Sequence, residues 1–299
     1  MDTILITGVS GFLGWNLAQR LKSDYRVYGT YFDHPVDLDP VETLAFDFSN
    51  LDKIKKFCVA IHPKAIIHTA ALSDADYCEI HHKEALTLNT LATRELGRVA
   101  SHLGIQMIYV STDLVFGGET GMYSEADSPV PLSYYAKTKR LGELEISNYC
   151  NYYVTLRLSL LYGRGNGQNQ SFFERMEKQA FRNSQLNLFV DQFRTPLFVE
   201  DAVLAVERLI GDKSLKGLFH LGGPDRLSRF QFGQVFCRVF NFPQTLLAPS
   251  RLDESKLLAP RPKDCSLRSD KAVKVLKMQL TSVEKGLELL RSNQERIRR

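Results

Sequence analysis

A tyrosine and a lysine stand four residues apart in the segment Ser133–Lys139. On a helix, Tyr135 and Lys139 share one face, and the register is unambiguous because Thr138, not a lysine, follows Tyr134 by four. An ammonium beside a phenol favours the phenolate, and such a tyrosine can exchange a proton with a carbinol or carbonyl oxygen. The pair predicts the proton-transfer half of a hydride transfer, although the same spacing also occurs on helix surfaces without function.

A third group comes from a hydroxyl at the end of a predicted strand. The apolar run before it leads into Ser111 and Thr112. At the carboxyl end of a strand, Thr112 can hydrogen-bond a substrate carbonyl oxygen and orient it toward Tyr135. The alternative is a hydroxyl that satisfies a backbone group at the strand end.

Three glycines follow the first apolar run with the spacing GxxGxxG. They are Gly8, Gly11 and Gly14, and a helix with leucines every four residues begins at about Phe12. Such a turn between strand and helix lets backbone N–H groups approach a pyrophosphate, and the helix N-terminus favours the anion. The turn predicts a dinucleotide site with these contacts: Gly8, Ser10, Gly11, Phe12, Leu13 and Gly14.

The end of the second predicted strand bears on which dinucleotide binds. NAD sites usually have an acid there, which accepts hydrogen bonds from the adenosine ribose. Here Tyr31 ends the strand, and Asp33 lies in the turn beyond it. The sequence favours NADP over NAD, but no arginine beside Tyr31 decides between them.

Short apolar runs alternate with amphipathic stretches through the first half of the chain. The predicted strands are Ile4–Ile6, Val27–Tyr31, Ile66–His68 and Met107–Val110, and helices lie between them. The second half predicts a strand at Tyr153–Leu161, a helix at Ser171–Phe181, a strand at Leu186–Val190 and a helix at Asp201–Ile210. This order predicts an α/β fold, a Rossmann-like doubly wound parallel sheet whose ligand crevice lies at the carboxyl ends of the strands.

Glycine and proline punctuation after residue 221 separates shorter helices, which predicts a smaller C-terminal lobe over the crevice. We expect residues 1–221 to form the NAD(P)-binding domain and residues 222–299 to form mainly the substrate-binding lobe. Residues 162–185 are expected to contribute to that lobe.

Composition excludes several other classes of protein. The five cysteines are scattered without the spacing of a zinc site or a disulfide framework, and no apolar run is long enough to span a bilayer. Part of the net charge of +4 lies at Arg296, Arg298 and Arg299, which we interpret as a solvated helix end. We therefore expect a cytoplasmic protein without metal, membrane or nucleic-acid partners, and leave a homodimer open.

Three segments together resemble the dTDP-4-dehydrorhamnose reductase family of extended short-chain dehydrogenases. They are TGVSGFLG at 7–14, STDLVFGG at 111–118 and YAKTKRLGE at 135–143. Further landmarks of the resemblance are His68–Ala71, Asp76–Glu79, Asn89, Val190–Phe193, Thr195–Pro196, His220–Gly223, Arg261–Pro262 and Leu267.

The resemblance implies roles for particular residues. Thr112, Tyr135 and Lys139 become the catalytic triad, and Arg261 becomes a candidate for the diphosphate of a nucleotide sugar. The expected cofactor contacts then also include Tyr31, Asp47, Phe48, Thr69, Ala70, Ala71, Tyr135 and Lys139. The expected substrate contacts are Ser73, Asp74, Thr112, Arg194 and Arg261.

Departures from the family pattern leave the sugar open. His68 stands where asparagine is more usual, Arg194 follows the DQF segment, and Leu197–Phe198 replaces a small polar stretch. Related 4,6-dehydratases have a glutamate where this chain has Leu114, and an aliphatic side chain cannot perform that proton chemistry.

Three functions remain after these comparisons of motifs. The first is an NAD(P)H-dependent reductase of a nucleotide-activated 4-keto-6-deoxysugar, with Tyr135 as proton donor and Lys139 holding the nicotinamide ribose and lowering the pKa of Tyr135. The second is a sugar-nucleotide epimerase with the same triad. The third is a non-catalytic regulatory subunit, as in the similar β-subunit of methionine adenosyltransferase. A C-terminal stripe of Val283, Leu287 and Leu290 could bind a partner, although such spacing more often indicates core packing.

Overall fold

The structure is a computed structural model that describes residues 1–297. Its strands are β1 (Thr3–Thr7), β2 (Arg26–Tyr31), β3 (Glu42–Ala45), β4 (Ala65–His68), β5 (Gln106–Thr112), β6 (Tyr153–Leu158), β7 (Leu161–Tyr162), β8 (Leu186–Phe189), β9 (Phe193–Arg194), β10 (Leu197–Phe198), β11 (Gly217–Leu221), β12 (Leu227–Ser228) and β13 (Leu247–Ser250).

The helices are α1 (Phe12–Leu21), α2 (Leu51–Ile61), α3 (Ala75–Ile80), α4 (His82–Leu86), α5 (Ala92–Leu103), α6 (Tyr134–Tyr149), α7 (Phe172–Phe181), α8 (Val199–Leu209), α9 (Arg229–Phe240), α10 (Asp270–Val275) and α11 (Val283–Ile297). A π-helical turn at Thr87–Leu91 joins α4 to α5, and a 3-10 turn at Asp113–Val115 follows β5.

Seven strands form one parallel sheet in the order β11-β6-β5-β4-β1-β2-β3. The chain builds outward from β1 through β2 and β3, and then crosses to β4 on the other side. This reversal places a crevice between the carboxyl ends of β1 and β4, where ligands bind in open α/β sheets. The predicted Rossmann-like α/β fold is confirmed.

Burial on both faces explains why the central strands read as continuous apolar runs. Ile4, Leu5 and Ile6 of β1 have no exposed surface. One face of the sheet packs against the leucine stripe of α1 and against α8, and the other packs against α2, α5 and α6. The helices therefore bring their N-terminal ends to the crevice, at the same edge of the sheet as the strand ends.

A second apolar cluster lies outside the large sheet. Its members come mainly from α7, α9 and α11, and include Phe173, Phe232 and Phe236. Val283, Leu287 and Leu290 are buried in it, which confirms the interpretation of that stripe as core packing. Helix α10, in contrast, packs against β11 and contributes to the cluster beneath the large sheet.

The structure corrects several sequence predictions. Strand β3 was not predicted, because the residues Glu42–Ala45 are largely exposed at the sheet edge and lack an apolar pattern. The strand predicted at Tyr153–Leu161 ends at Leu158, and Leu161 belongs to a separate pair with β10. Of the basic C-terminal residues, Arg298 and Arg299 lie outside the described residues.

All five cysteines have free, buried thiols. Within residues 1–297, no helix has both the length and the apolarity needed to cross a membrane. Over the same range, the side chains of His, Cys, Asp and Glu form no cluster of three or more suited to a metal ion.

Candidate active site

The glycine turn between β1 and α1 is held by close packing. Gly8 has φ of +73°, and a Cβ there would lie 2.8 Å from the Cα of Ala70. At Gly14 a Cβ would lie 2.2 Å from the Gly8 carbonyl oxygen. The turn therefore requires the positive φ at Gly8 and the close approach at Gly14.

The N-terminus of α1 fits an anion. Gly11 is its N-cap and supplies no side-chain hydrogen bond, and the first turn contains no acid. The N–H groups at this end lack partners within the helix, and the helix dipole places partial positive charge there. Ser10, Phe12 and the buried Leu13 lie at this end, and their contacts with a phosphate stay predictions.

A loop after β7 packs across the glycine turn. Asn166 and Asn169 each donate a side-chain hydrogen bond to the Ser10 carbonyl, at 3.3 and 3.0 Å. Asn16 of α1 donates to the Arg164 carbonyl at 3.1 Å. This loop was not predicted to lie near the pyrophosphate contacts, because about 150 residues separate it from them along the chain.

The carboxyl end of β2 presents Tyr31, and beyond it Phe32, Asp33 and His34 are exposed. The Asp33 carboxylate pairs with His34 Nδ1 at 2.5 Å. Asp33 is thus a turn residue, as the sequence predicted, and its carboxylate already has a partner.

His68, at the carboxyl end of β4, is a buried core histidine. Its Nδ1 lies 2.7 Å from Thr7 Oγ1, and its Nε2 lies 3.1 Å from Thr93 Oγ1. Thr93 donates its own proton to the Asn89 carbonyl, so His68 donates from Nε2 and accepts at Nδ1. Burial lowers the pKa of His68 to about 3, and the ring is neutral.

The residues after His68 line the crevice beside the glycine turn. Thr69 donates from its hydroxyl to the Thr7 carbonyl at 2.6 Å, and the Ala70 N–H donates to Thr7 Oγ1 at 3.2 Å. Thr69, Ala70 and Ala71 are each partly exposed. These contacts join the ends of β1 and β4, where the predicted cofactor contacts meet.

Asp47 and Phe48, predicted cofactor contacts, follow β3 and have different environments. Asp47 is exposed and accepts two hydrogen bonds from Ser49, from its N–H and its hydroxyl, both at 2.8 Å. Phe48 is buried and packs beside Phe46 with ring centroids 4.7 Å apart.

Thr112 and Tyr135 meet at the end of β5. Their hydroxyl groups lie close enough to interact, and Tyr135 is buried in a small apolar cluster with Cys78 and Ala259. Thr112 Oγ1 also accepts the Leu114 N–H at 3.1 Å. The hydroxyl therefore caps the 3-10 turn and also lies beside Tyr135. Its role toward a substrate oxygen stays a prediction.

Lys139 lies one turn after Tyr135 on α6 and faces the same strand. Its Nζ donates to the Val110 carbonyl at 2.7 Å and lies 4.2 Å from the centroid of the Tyr109 ring. Burial lowers the pKa of Lys139 to about 7, against the charge of Glu143, which raises it.

The expected lowering of the Tyr135 pKa by Lys139 is wrong for this structure. Burial, reinforced by the charge of Asp113, raises the pKa of Tyr135 well above its ordinary value, and the Thr112 hydrogen bond opposes this. The Lys139 ammonium is engaged by the Val110 carbonyl and the Tyr109 ring. Tyr135 is consequently a neutral phenol that carries its proton at physiological pH.

Arg194 is a buried partner of Asp113, the residue after Thr112. Its Nε lies 3.3 Å from Asp113 Oδ2, and both side chains are at least nine-tenths buried. Ser159 donates to the same carboxylate oxygen at 3.1 Å. Burial raises the pKa of Asp113, while the charge of Arg194 lowers it. The structure thus brings Arg194 to the predicted catalytic residues.

The predicted substrate residues Ser73 and Asp74 lie at the start of α3 and are exposed. Asp74 caps that helix, accepting hydrogen bonds from the N–H groups of Asp76 and Tyr77. Asp76 in turn pairs with Arg261 at 3.0 Å, which joins two separate landmarks of the family resemblance. Arg261 is thereby held against α3.

Arg229, at the start of α9, was not singled out from the sequence. Its Nε donates to Gln192 Oε1 at 3.0 Å, and its guanidinium lies 4.5 Å from the Phe172 ring centroid. Burial, together with the charge of Arg194, lowers the pKa of Arg229 to about 9. A single arginine forms no recognisable sequence motif, so only the fold could show that Arg229 lies beside Gln192 and Phe172.

Three of these arginines share an unusual feature. Within the described residues, one terminal nitrogen (NH1) of each is buried without a hydrogen-bond partner, in Arg194, Arg229 and Arg261. An unpaired buried donor is costly, and charged donors are costlier still. An anion between these guanidinium groups would satisfy them.

Comparisons with known proteins agree with this geometry. The sequence matches the family described as the RmlD substrate binding domain over residues 1–295. Methionine adenosyltransferase 2 subunit beta of Xenopus laevis is 31% identical over 275 residues, which cover 88% of this chain and 80% of that protein. A probable low-salt glycan biosynthesis reductase of Haloferax volcanii is 28% identical over 263 residues, covering 86% of this chain and 87% of that protein.

A solved structure extends the similarity to three dimensions. The dTDP-4-dehydrorhamnose reductase of Bacillus anthracis, in complex with NADP, superposes with a TM-score of 0.86 at 25% identity, covering 98% of this chain and 99% of that one. The resemblance predicted from the glycine turn, the STD segment and the Tyr-Lys pair is confirmed. The chain belongs to the RmlD substrate binding domain family.

Proposed function

We propose that the chain is an NAD(P)H-dependent reductase of a nucleotide-activated 4-keto-6-deoxysugar. The observation that carries the proposal is the placement of the Thr112 hydroxyl beside Tyr135, with Lys139 one helical turn away, beside the crevice at the end of β5. The similarity to a dTDP-4-dehydrorhamnose reductase supports the same substrate class.

Residues on the glycine turn would hold the dinucleotide. The uncapped end of α1 and Gly8 to Gly14 would bind the pyrophosphate, and the segment Thr69–Ala71 would line the opposite wall. Tyr31, in place of an acid, supports NADP over NAD, in agreement with the NADP in the Bacillus anthracis reductase. When bound, the reduced nicotinamide supplies the hydride.

Tyr135 would supply the proton. As a neutral phenol it can donate to the carbonyl oxygen of the substrate, while Thr112 hydrogen-bonds and orients that oxygen. Lys139 in its ammonium form would hold the nicotinamide ribose. Leu114 has no proton to exchange, which supports reduction rather than dehydration.

The substrate diphosphate would lie among the unpaired nitrogens of Arg194, Arg229 and Arg261. Arginine suits this role because its charge persists and its planar fork matches phosphate geometry.

We propose that the second apolar cluster is the core of the substrate lobe. Residues 162–185, α9 and α11 supply this cluster, and the lobe lies over the sheet domain of residues 1–221. The lobe then consists mainly of residues 222–299, although α10 belongs to the sheet side.

The test is oxidation of NADPH by the purified protein with dTDP-4-keto-6-deoxysugars. Tyr135→Phe should lower kcat by about 100-fold or more, because it removes the proton donor and little volume. Tyr134→Phe is the matched control, because the Tyr134 ring stacks on His82 and Tyr134 is not one of the three predicted catalytic residues. Unchanged turnover by Tyr135→Phe would refute the assignment, and interconversion of sugars without net consumption of NADPH would indicate the epimerase instead.

A second candidate is a regulatory subunit that keeps the dinucleotide fold but serves a partner. The methionine adenosyltransferase 2 subunit beta proteins, at 29–31% identity, are the observation that favours it. Stable binding of a methionine adenosyltransferase catalytic subunit, with no turnover on any keto-sugar, would support this candidate over the reductase. Sedimentation of the protein alone would test whether it forms the homodimer that the sequence leaves open.

A further inference from the structure

A buried carboxylate on α6 ties that helix to two strands. Glu143 stands one turn after Lys139 and is 4% exposed. It accepts two hydrogen bonds from Arg157 of β6, from Nε at 2.8 Å and from the terminal nitrogen NH2 at 2.7 Å, and one from the Ser111 hydroxyl at 2.6 Å. Arg140 completes the set from the surface side at 2.8 Å.

The network continues through Arg157 without adding another charge. The Arg157 NH1 nitrogen lies 3.2 Å from His220 Nε2, and His220 Nδ1 lies 3.0 Å from the Tyr123 carbonyl. Since the guanidinium can only donate, His220 accepts at Nε2 and donates from Nδ1. Burial lowers the pKa of His220, which keeps the ring neutral. Arg157 and Glu143 therefore form one buried pair with a single defined geometry.

Glu143 and its partner Ser111 both lie close in sequence to the predicted catalytic residues. Ser111 immediately precedes Thr112 on β5, and Glu143 shares the face of α6 that carries Tyr135 and Lys139. The fork of Arg157 fixes both carboxylate oxygens, so sliding or rotation of α6 over the sheet would break several short hydrogen bonds. The spacing between Thr112 and Tyr135 depends on that register.

We propose that Glu143 is a positioning residue of the active site, which holds α6 in register with the ends of β5 and β6 so that Tyr135 and Lys139 face Thr112. The inference rests on the proposed reductase function. Glu143 itself has no place at the reacting atoms and acts through the helix.

The charge of Glu143 also acts on Lys139. Removing that charge therefore changes the pKa of Lys139, an effect that a change in stability alone would not have. The groups around the Lys139 ammonium are Tyr109 on β5, the neutral His68 on β4, and Tyr135 and Glu143 on its own helix. Burial, opposed by hydrogen bonds and charge from Arg157, leaves Glu143 with a lowered pKa and hence ionised. Among these groups, Glu143 is the one that favours the ammonium.

The experiment compares Glu143→Gln with the wild type in steady-state reduction. Loss of register should lower kcat by about tenfold to 100-fold, with the Kd for NADPH changed by less than about threefold. The activity should fall as pH rises through the Lys139 pKa, and without Glu143 this limb should move to lower pH by about one unit. The shift of the limb reports loss of the Glu143 charge beside Lys139. A merely structural role would lower the melting temperature without lowering kcat at the optimum pH.

Two further variants keep the test decisive. Glu143→Leu combined with Arg157→Met replaces the buried pair by apolar volume, which often restores stability. We expect a folded protein with the pH limb still displaced; wild-type kcat and pH profile in this double variant would overturn the inference. Glu95→Gln is the matched control, because Glu95 also pairs with two arginines, Arg94 and Arg98, on the neighbouring α5.

A separate readout distinguishes failure of this inference from failure of the reductase assignment. If the wild type binds NADPH but reduces no keto-sugar, the assignment fails, and the pH dependence of NADPH affinity and hydrogen exchange of residues 134–149 are measured instead. Faster exchange in Glu143→Gln with a displaced pH limb supports the positioning role. Unchanged exchange and an unchanged limb would overturn it.

Discussion

Replacing Gly14 by alanine tests whether close packing of α1 on the glycine turn creates the dinucleotide site. The new Cβ would lie 2.2 Å from the Gly8 carbonyl oxygen, 2.9 Å from its carbon and 3.0 Å from Thr69 Oγ1. Two of these atoms belong to backbone, so the helix or the turn must move by roughly 1 Å to restore ordinary contact. Overpacking of this kind costs about 1–3 kcal/mol.

The cost falls on the segment that would bind the pyrophosphate, so we expect NADPH affinity to drop by about tenfold to 100-fold, using 1.4 kcal/mol per tenfold. Fluorescence titration of NADPH measures the affinity, and urea denaturation measures the free energy of unfolding. Gly97→Ala is the matched control in α5, since its Cβ would meet Cys150 at 3.6 Å. It should stabilise the protein by about 0.4–1 kcal/mol. If Gly14→Ala, like the control, bound NADPH with an affinity within twofold of wild type, the packing argument would be refuted.

Three further predictions follow from the site. Arg229→Gln should raise the KM for the nucleotide sugar by about tenfold, because a charge-assisted contact is lost, and leave the Kd for NADPH unchanged; equal effects on both would contradict its place on the substrate side. NADPH affinity should decline as pH rises through about 7, where Lys139 loses its proton, and titration of Lys139→Met should show a flat profile. His68→Leu should lower the free energy of unfolding by about 1–3 kcal/mol, because the buried hydroxyls of Thr7 and Thr93 each lose their hydrogen bond to the ring. Urea denaturation measures this, and an unchanged midpoint would contradict that role.

Sequence periodicity and turn chemistry predicted much of the sheet and the glycine turn. The buried strands Ile4–Ile6 and Met107–Val110 were predictable because burial on both faces leaves continuous apolar runs. The exposed strand at Glu42–Ala45 carries no such signal, since its pairing partner, not its side chains, makes it a strand.

The candidate site likewise contains residues that the sequence predicted to lie together and residues that only the fold brings together. Tyr135 and Lys139 share one helix face, so their spacing alone brought them together. The pairs Glu143–Arg157 and Asp113–Arg194 join residues of different elements, and only the tertiary fold sets their separation. The pKa of Tyr135 likewise depends on burial by several elements, which the sequence could not reveal.

The measurement that tests the central claim most directly is transfer of deuterium to the sugar from NADPH that is labelled at both C4 positions, [4,4-²H₂]NADPH. The protein would be incubated with labelled cofactor and a dTDP-4-keto-6-deoxysugar, and the product examined by mass spectrometry and NMR. The reductase account predicts one deuterium at C4 of the product for each NADP⁺ formed, and loss of that transfer in Tyr135→Phe. A product without deuterium, or no product while a methionine adenosyltransferase catalytic subunit binds, would contradict it.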